Sequence, residues 1–489
     1  MQLTNKILNR LVEPFIVSQI EQPDCTFLRV NAVKLLTWNR LDLAFKLAFL
    51  DLKDKNSSFS EEIYWHDIKS QTLGSFEEFG AEEKNNFSKY KASFLSTYNN
   101  IKENGFDEGK SLIPLSESGS VINGAHRLAS AIHTNQEVGC VKTNLPVMRC
   151  DYQYFLDRAV PQYILDYVVT KYIEYADDVF LGFLWPSGKS NIHESLNEFG
   201  NIVYMKKIKL SATGAFNLLF ELYKHMDWLG NRANGFQGVK KKLLECFPTF
   251  DDVYVIAFQE GNFDDVLKIK RRVRDINEIG YSSIHITDTK DEAERISKLV
   301  FNDNGLHFLN FSNPHKFLYS EELTELTDFL SKNEIKAQNF LVDGSFVATL
   351  YGLRKSMDID YLSDEKIRHQ SDSYDAHDSE LQFHGIAKEQ LIYNPSFYFE
   401  YLGIKFISFS QLFDMKQVRG EEKDLNDCRL MQSYISNDKV AVLLFSFKQK
   451  LFYSKLKTHK FMLKYSLATL NKIGLYRAVR FIYRYIKGV

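Results

Sequence analysis

Asp343-Gly344-Ser345-Phe346-Val347-Ala348-Thr349-Leu350-Tyr351-Gly352-Leu353-Arg354-Lys355-Ser356-Met357-Asp358-Ile359-Asp360-Tyr361-Leu362 is the stretch on which the reading of this chain turns. A Gly-Ser turn leads into a short helix, then into a strand where aspartates alternate with apolar residues. Residues i and i+2 of a strand share a face, so Asp358 and Asp360 aim two carboxylates at one spot. Such a pair suits Mg²⁺, a hard cation that takes oxygen ligands and usually shares them with substrate phosphates. A turn at Gly344-Ser345 can bring backbone N–H groups against a phosphate.

This stretch resembles the nucleotidyltransferase superfamily of the polymerase-beta type, whose pattern is Gly-Ser, a helix, then Asp-x-Asp on the next strand. The resemblance spans roughly residues 335–435. The segment Tyr351-Gly352-Leu353-Arg354 before the aspartates also looks like the LicD-type phosphocholine transferases. Both relatives move a phosphorus-containing group from a nucleotide donor. The resemblance implies that Asp358 and Asp360 hold the metal, that Gly344 and Ser345 cradle phosphates, and that Arg354 offsets charge. It also implies a third carboxylate from a later strand. Glu400, in the aromatic run Phe397-Tyr398-Phe399-Glu400-Tyr401, is the expected one; the polar cluster Asp375-Ala376-His377-Asp378-Ser379-Glu380 competes for that role. Downstream, Lys416, Arg419 and Lys423 fall at i, i+3 and i+7, on one helix face that could hold a triphosphate or could simply be solvated.

The chain has 489 residues, enough for about three domains. With 44% apolar and 25% charged residues it has a globular composition. The five cysteines Cys25, Cys140, Cys150, Cys246 and Cys428 form no Cys-x-x-Cys, which argues against a disulfide framework or a structural zinc site. No signal peptide and no transmembrane run is expected, and the cytoplasm is the expected compartment. The net charge of −2 conceals an asymmetry: residues 439–489 hold twelve Lys or Arg and no Asp or Glu, which leaves −14 on residues 1–438. This basic, amphipathic tail fits an anionic membrane surface. Packing on the acidic body and a nucleic-acid patch are the alternatives, and nucleic acid is not the expected partner.

A second motif lies at Ser120-Val121-Ile122-Asn123-Gly124-Ala125-His126-Arg127. It reads as a strand, a tight turn and a helix starting near Ala125, so His126 and Arg127 stand in the first turn beside free N–H groups. It resembles the ParB/sulfiredoxin-like fold, whose signature is a strand, Asp-Gly-x-His-Arg and a helix. That implies phosphate binding by Gly124, His126 and Arg127. Asn123 replaces the usual Asp, and Ala125 stands where sulfiredoxin has its catalytic Cys, which speaks against sulfinic-acid reduction. A kinase-like step would need a carboxylate base, with Glu117 a candidate.

Between the two motifs, Asp178–Pro186 and Asp252–Phe258 read as buried strands. Gly188-Lys189-Ser190 is not a P-loop, because Phe183 occupies the position of the required glycine. Arg271, Arg272 and Arg274 precede a strand carrying His285. That histidine reads as a satisfied core residue or as part of a site for a phosphorylated acceptor. Thr287 or Asp288 is the expected cap of the helix starting near Lys290.

The expected fold is a mixture of α/β and α+β units: a ParB/sulfiredoxin-like domain at 1–150, an α/β domain at 151–330, a nucleotidyltransferase-like domain at 331–438 and a basic amphipathic helical tail at 439–489. The expected activity is Mg²⁺-dependent nucleotidyl or phosphoryl transfer from a nucleoside triphosphate, ATP or CTP, to a small-molecule or glycan acceptor. The first module would be a small-molecule kinase, with the tail at the inner membrane surface and, by analogy, a place in bacterial cell-surface glycan assembly. The other classes are a nucleic-acid-modifying or defence nucleotidyltransferase and a non-catalytic nucleotide sensor.

Overall fold

A computed structural model of the chain describes residues 2–21, 24–77, 84–317, 320–356, 358–369, 373–436, 438–472 and 476. It is a mixed α and β protein with three small sheets. The first contains β1 (Gln2–Thr4), β2 (Asp24–Asn31), β3 (Ile113–Leu115) and β4 (Glu137–Lys142), in the order β1-β2-β4-β3. The second contains β5 (Val179–Leu184), β6 (Ile202–Ile208), β7 (Val253–Gln259) and β8 (Ile284–Ile286), in the order β6-β7-β5-β8. Every pairing in it is antiparallel, so the middle unit is α+β rather than a wound α/β layer.

The third sheet contains β9 (Phe340–Asp343), β10 (Ile359–Ser363), β11 (Tyr374–Ala376), β12 (Tyr398–Tyr401) and β13 (Ile404–Ile407), in the order β11-β10-β9-β13-β12. β9 is its central strand and is buried at all four positions, which explains its apolar run Phe-Leu-Val before the aspartate. β12 and β13 form a hairpin through Leu402 and Gly403, both at positive φ (53° and 76°), the geometry of a two-residue loop that matches strand twist. After β13, Ser408 accepts from the Gln411 N–H and caps the helix Phe409–Arg419; Gly420, at φ 69°, ends it. The helix Glu422–Ile435 then folds back across it.

One continuous apolar core runs from Ala32 to Met431 and takes in residues of all three units, so the sheets are buttressed by shared helices. The helix Gln162–Tyr175 touches the helix Asp42–Leu52 of the first unit on one side and the helix Lys290–Val300 on the other. That last helix is capped by Thr289, whose side chain accepts from the Glu292 N–H; the expected caps Thr287 and Asp288 lie two residues and one residue too early. The tail forms a 34-residue helix, Lys439–Lys472, packed on Glu422–Ile435. Among the tail's apolar residues, Ile473, Phe481 and Ile482 lie outside the described residues. Among the described residues, no helix is long and apolar enough to cross a membrane.

Candidate active site

β10 pairs with β9 on one side and β11 on the other, and this brings four aspartates together. Asp360 stands opposite Asp343 in the antiparallel register and beside Asp375 in the parallel one. Asp358, Asp360 and Asp375 each offer an oxygen within 4.8 Å of the others. Asp358 and Asp375 are exposed and Asp360 is half-buried. Burial, together with the charges of Asp358 and Asp343, raises the Asp360 carboxyl above its ordinary value against the opposing pull of His377. Crowded, partly desolvated carboxylates of this kind are what a hard divalent cation relieves, so the donor set fits Mg²⁺.

Asp343 is fully buried. Its Oδ2 accepts from His377 Nδ1 at 2.8 Å and His384 Nε2 at 3.1 Å, while its Oδ1 has no partner. Burial alone would raise this carboxyl; the two imidazole N–H groups outweigh it and hold it well below the carboxylate range. Gln411 Nε2 lies 3.3 Å from His384 Nδ1, so Nδ1 is the acceptor and Nε2 carries the proton given to Asp343. The other nitrogen of His377 lies 3.5 Å from Asp360 Oδ1. His377 therefore links the buried aspartate to the exposed triad. Burial lowers its pKa, but Asp343 and Asp360 outweigh that and raise it.

Gly344 sits at φ 68°, and a Cβ there would lie 2.0 Å from Asp360 Oδ2. The Ser345 N–H hydrogen-bonds Asp360, and Ser345 Oγ accepts from Arg354 Nη2 at 2.7 Å. The Gly-Ser turn thus holds a carboxylate of the candidate metal site. The expected phosphate cradle differs in this respect: the Ser345 N–H already has a partner. Gly344→Ala should destabilise the fold by on the order of 2 kcal/mol, from backbone strain and displacement of Asp360. A thermal melt that matches the parent's, together with unchanged Mn²⁺ binding, would count against this packing.

Behind the turn lies a buried ionic lattice. Arg354 forks onto Asp427 with two bonds of 2.7 Å. Lys416 reaches Asp424 at 3.1 Å and Asp427 at 3.0 Å. Arg419 forks onto Asp424 at 2.8 Å and reaches Glu380 at 3.2 Å. Lys416 is buried, so the expected triphosphate-binding roles of Lys416 and Arg419 give way to structural ones: both bind their own helix pair, and Arg419 clamps it to the loop after β11. The Asp427 carboxyl is pulled down to about 2 by Arg354 and Lys416 against burial, from an ordinary 3.8. Its contribution to stability is therefore present above pH ~4 and is lost as pH falls towards 2. Asp427→Asn should cost about 3 kcal/mol at pH 7, because it removes the carboxylate that Arg354 and Lys416 share, leaving Arg354 with Ser345 and Lys416 with Asp424 alone. The gap from the parent should narrow between pH 4 and 2 in urea unfolding; a gap independent of pH would contradict the lattice.

Glu400 is corrected. It lies on β12, at the opposite edge of the sheet from β11, with β9 and β13 between β12 and β10, and it accepts from Lys298 Nζ at 2.9 Å. Asp375 takes the third position instead. Beside Asp358 opens a cavity of about 880 Å³, lined also by Arg354, Thr349, Tyr374 and Lys316, and by Ser446 and Ser454 of the tail helix.

The N-terminal motif also lines a cleft, of about 610 Å³. Gly124, at φ 88°, immediately precedes the helix Ala125–His133. A Cβ there would lie 2.8 Å from both Arg127 and Ile113. His126 Nε2 meets the Tyr64 hydroxyl at 3.0 Å, and burial pushes its imidazole well below the ordinary value, so it is a neutral hydrogen-bonding group. Arg127 pairs with Glu13 at 2.6 Å. Deeper in, Arg40 forks onto Asp42 and Lys46 meets Asp67 at 2.6 Å. Glu117 is exposed and does not line the cleft, whereas Glu13 and Asp42 do.

Comparisons with protein-family models, with curated proteins and with solved structures find no match for this chain. What the site can do rests on its own geometry. Asp343, His377 and His384 are the residues that sequence reasoning left without a role, although an aspartate closing an otherwise apolar strand was the available signal for the first of them.

Proposed function

We propose that this chain is a Mg²⁺-dependent nucleotidyl- or phosphoryltransferase using a nucleoside triphosphate. The observation that carries the reading is the meeting of Asp358, Asp360 and Asp375 beside a cavity large enough for a nucleotide. Those three residues would hold the ion, which when bound supplies charge neutralisation for the donor's phosphates. The chain's own contribution is positioning. The Ser345 N–H and His377 orient Asp360, Asp343 orients His377, and Arg354 stiffens the turn from behind. Phosphoryl chemistry draws most of its acceleration from such placement.

The N-terminal cleft supports a second phosphate-binding module, with Glu13 and Asp42 replacing Glu117 as its carboxylates. The tail helix supports attachment to an anionic bilayer: Val440, Leu444, Phe447 and Leu451 follow one another at steps of four, three and four and are all exposed. Incubation with each of ATP, CTP, GTP and UTP, Mg²⁺ and a metabolite extract tests the whole reading. Pyrophosphate release or diphosphate-nucleotide release that Asp360→Asn abolishes supports it. Diphosphate release that survives Asp360→Asn assigns that activity to the N-terminal cleft, and nucleotide binding without any turnover leaves a sensor.

A further inference from the structure

The middle unit holds another cavity, of about 670 Å³, which shares no lining residue with the aspartate site. It lies beside β8, between the helices Gln237–Cys246 and Phe263–Asn277. One wall is aromatic. Tyr223 packs against Trp228 and His285, and Trp228 and Tyr281 remain 45% and 74% exposed. Exposed rings lining a concavity offer flat faces on which another ring can stack.

The same cavity is cationic. Arg274 lies 4.4 Å from the Tyr281 ring centre, and its Nε is buried without a hydrogen-bond partner. Lys242 is buried, yet its Nζ donates to the Tyr281 carbonyl at 2.8 Å and to no carboxylate among the described residues. Lys241 is exposed at the same cavity. Lys270 is neutralised by Asp288 at 2.6 Å, and Glu245 accepts from Ser282 Oγ at 3.3 Å. His285 is held by Glu292 at 3.3 Å. Of the three arginines that precede this strand in sequence, only Arg274 lines the cavity; Arg272 is engaged by Glu198 at 2.6 Å. A buried guanidinium N–H without an acceptor and a buried ammonium without a counter-charge are costly unless an anion completes them.

We propose that this cavity binds a phosphate monoester carried on a ring. The phosphate would meet Arg274, Lys242 and Lys241, and the ring would lie against Trp228 and Tyr281. A guanidinium fork suits the phosphate oxygens, and the volume suits a ligand of nucleoside-monophosphate or sugar-phosphate size. The inference does not depend on the transfer reading, because none of its residues touches the aspartates.

The test is binding to the full chain without divalent metal, followed by tryptophan fluorescence and by calorimetry. The probes are AMP, CMP, glucose 1-phosphate and ribose 5-phosphate, with adenosine and inorganic phosphate as half-ligands. At least one ring phosphate should bind more tightly than either half-ligand. Arg274→Gln should weaken it about tenfold or more, and Lys241→Ala, at an exposed position, several-fold. Trp228→Phe should remove most of the fluorescence change while calorimetry still detects binding. Asp360→Asn should leave the affinity unchanged, which separates this site from the other. The nucleotide arms against the sugar arms show which ring the wall prefers. If no ring phosphate binds, or if binding ignores both Arg274→Gln and Lys241→Ala, the proposal is overturned. Should Arg274→Gln fail to fold, Lys241→Ala alone decides.

Discussion

Asp360→Asn is expected to lower transfer by about two to three orders of magnitude while the protein stays folded. The first half follows from position. Asp360 belongs to the triad with Asp358 and Asp375 and receives the Ser345 N–H and the flank of His377, so on the proposed reading its loss removes a ligand and the point where the positioning bonds converge. The second half follows from electrostatics. Burial and the like charges of Asp358 and Asp343 already raise this carboxyl, so neutralising it relieves desolvation and repulsion in the metal-free protein. The melting temperature without metal should therefore hold or rise, and the stabilisation that added Mg²⁺ or Mn²⁺ gives the parent should shrink. Metal titration by calorimetry and pyrophosphate release measure the two effects. Unchanged turnover in Asp358→Ala/Asp360→Asn would remove the basis for a metal-dependent transferase.

Deletion of residues 445–489 should release the protein from vesicles containing anionic lipid. Each Lys or Arg near such a surface contributes about 1 kcal/mol, screened within a Debye length, and 439–489 holds twelve of them. Exposed Phe447, Leu451, Phe461 and Met462 add an insertion contribution that salt does not remove. Sedimentation with vesicles should fall steeply with salt but not to zero, and with neutral lipid it should drop to the same small residual level. If the intact chain ignores anionic vesicles at low salt, the helix belongs to the packed body, and the truncated chain should then lose stability instead.

The aspartate pair was legible in sequence because strand parity is local: i and i+2 face one way whatever surrounds them. The choice of third carboxylate, between Glu400 and the cluster that begins at Asp375, was not. Glu400 and Asp375 both sit on strands, and only the sheet order, a long-range property, separates the edge beside β10 from the far one. Of the cationic face expected from Lys416, Arg419 and Lys423, only the first two share a helix; Lys423 lies in the next one, beyond Gly420. The partners of Lys416 and Arg419, Asp424 and Asp427, were not legible, because the two helices are joined through Gly420, which turns the chain back on itself. The start of the helix at Ala125 was readable from Asn123-Gly124. The neutrality of His126 was not, since it depends on burial and on neighbouring cations far along the chain, Lys46 among them.

Ser446 and Ser454 place the tail helix in the wall of the cavity next to Asp358. An α-helix with its side chains is about 10 Å across. A bilayer touching its outer face would therefore hold the aspartate cluster at a fixed height of that order above the headgroups. An acceptor anchored in the same leaflet would be searched for in two dimensions. Its governing concentration would be a surface density, and successive acceptors could be met without the protein leaving the sheet of lipid. Turnover on a lipid-borne acceptor should then follow mole fraction in the vesicle, not bulk concentration, while a freely diffusing analogue of the same acceptor gains nothing from the vesicles.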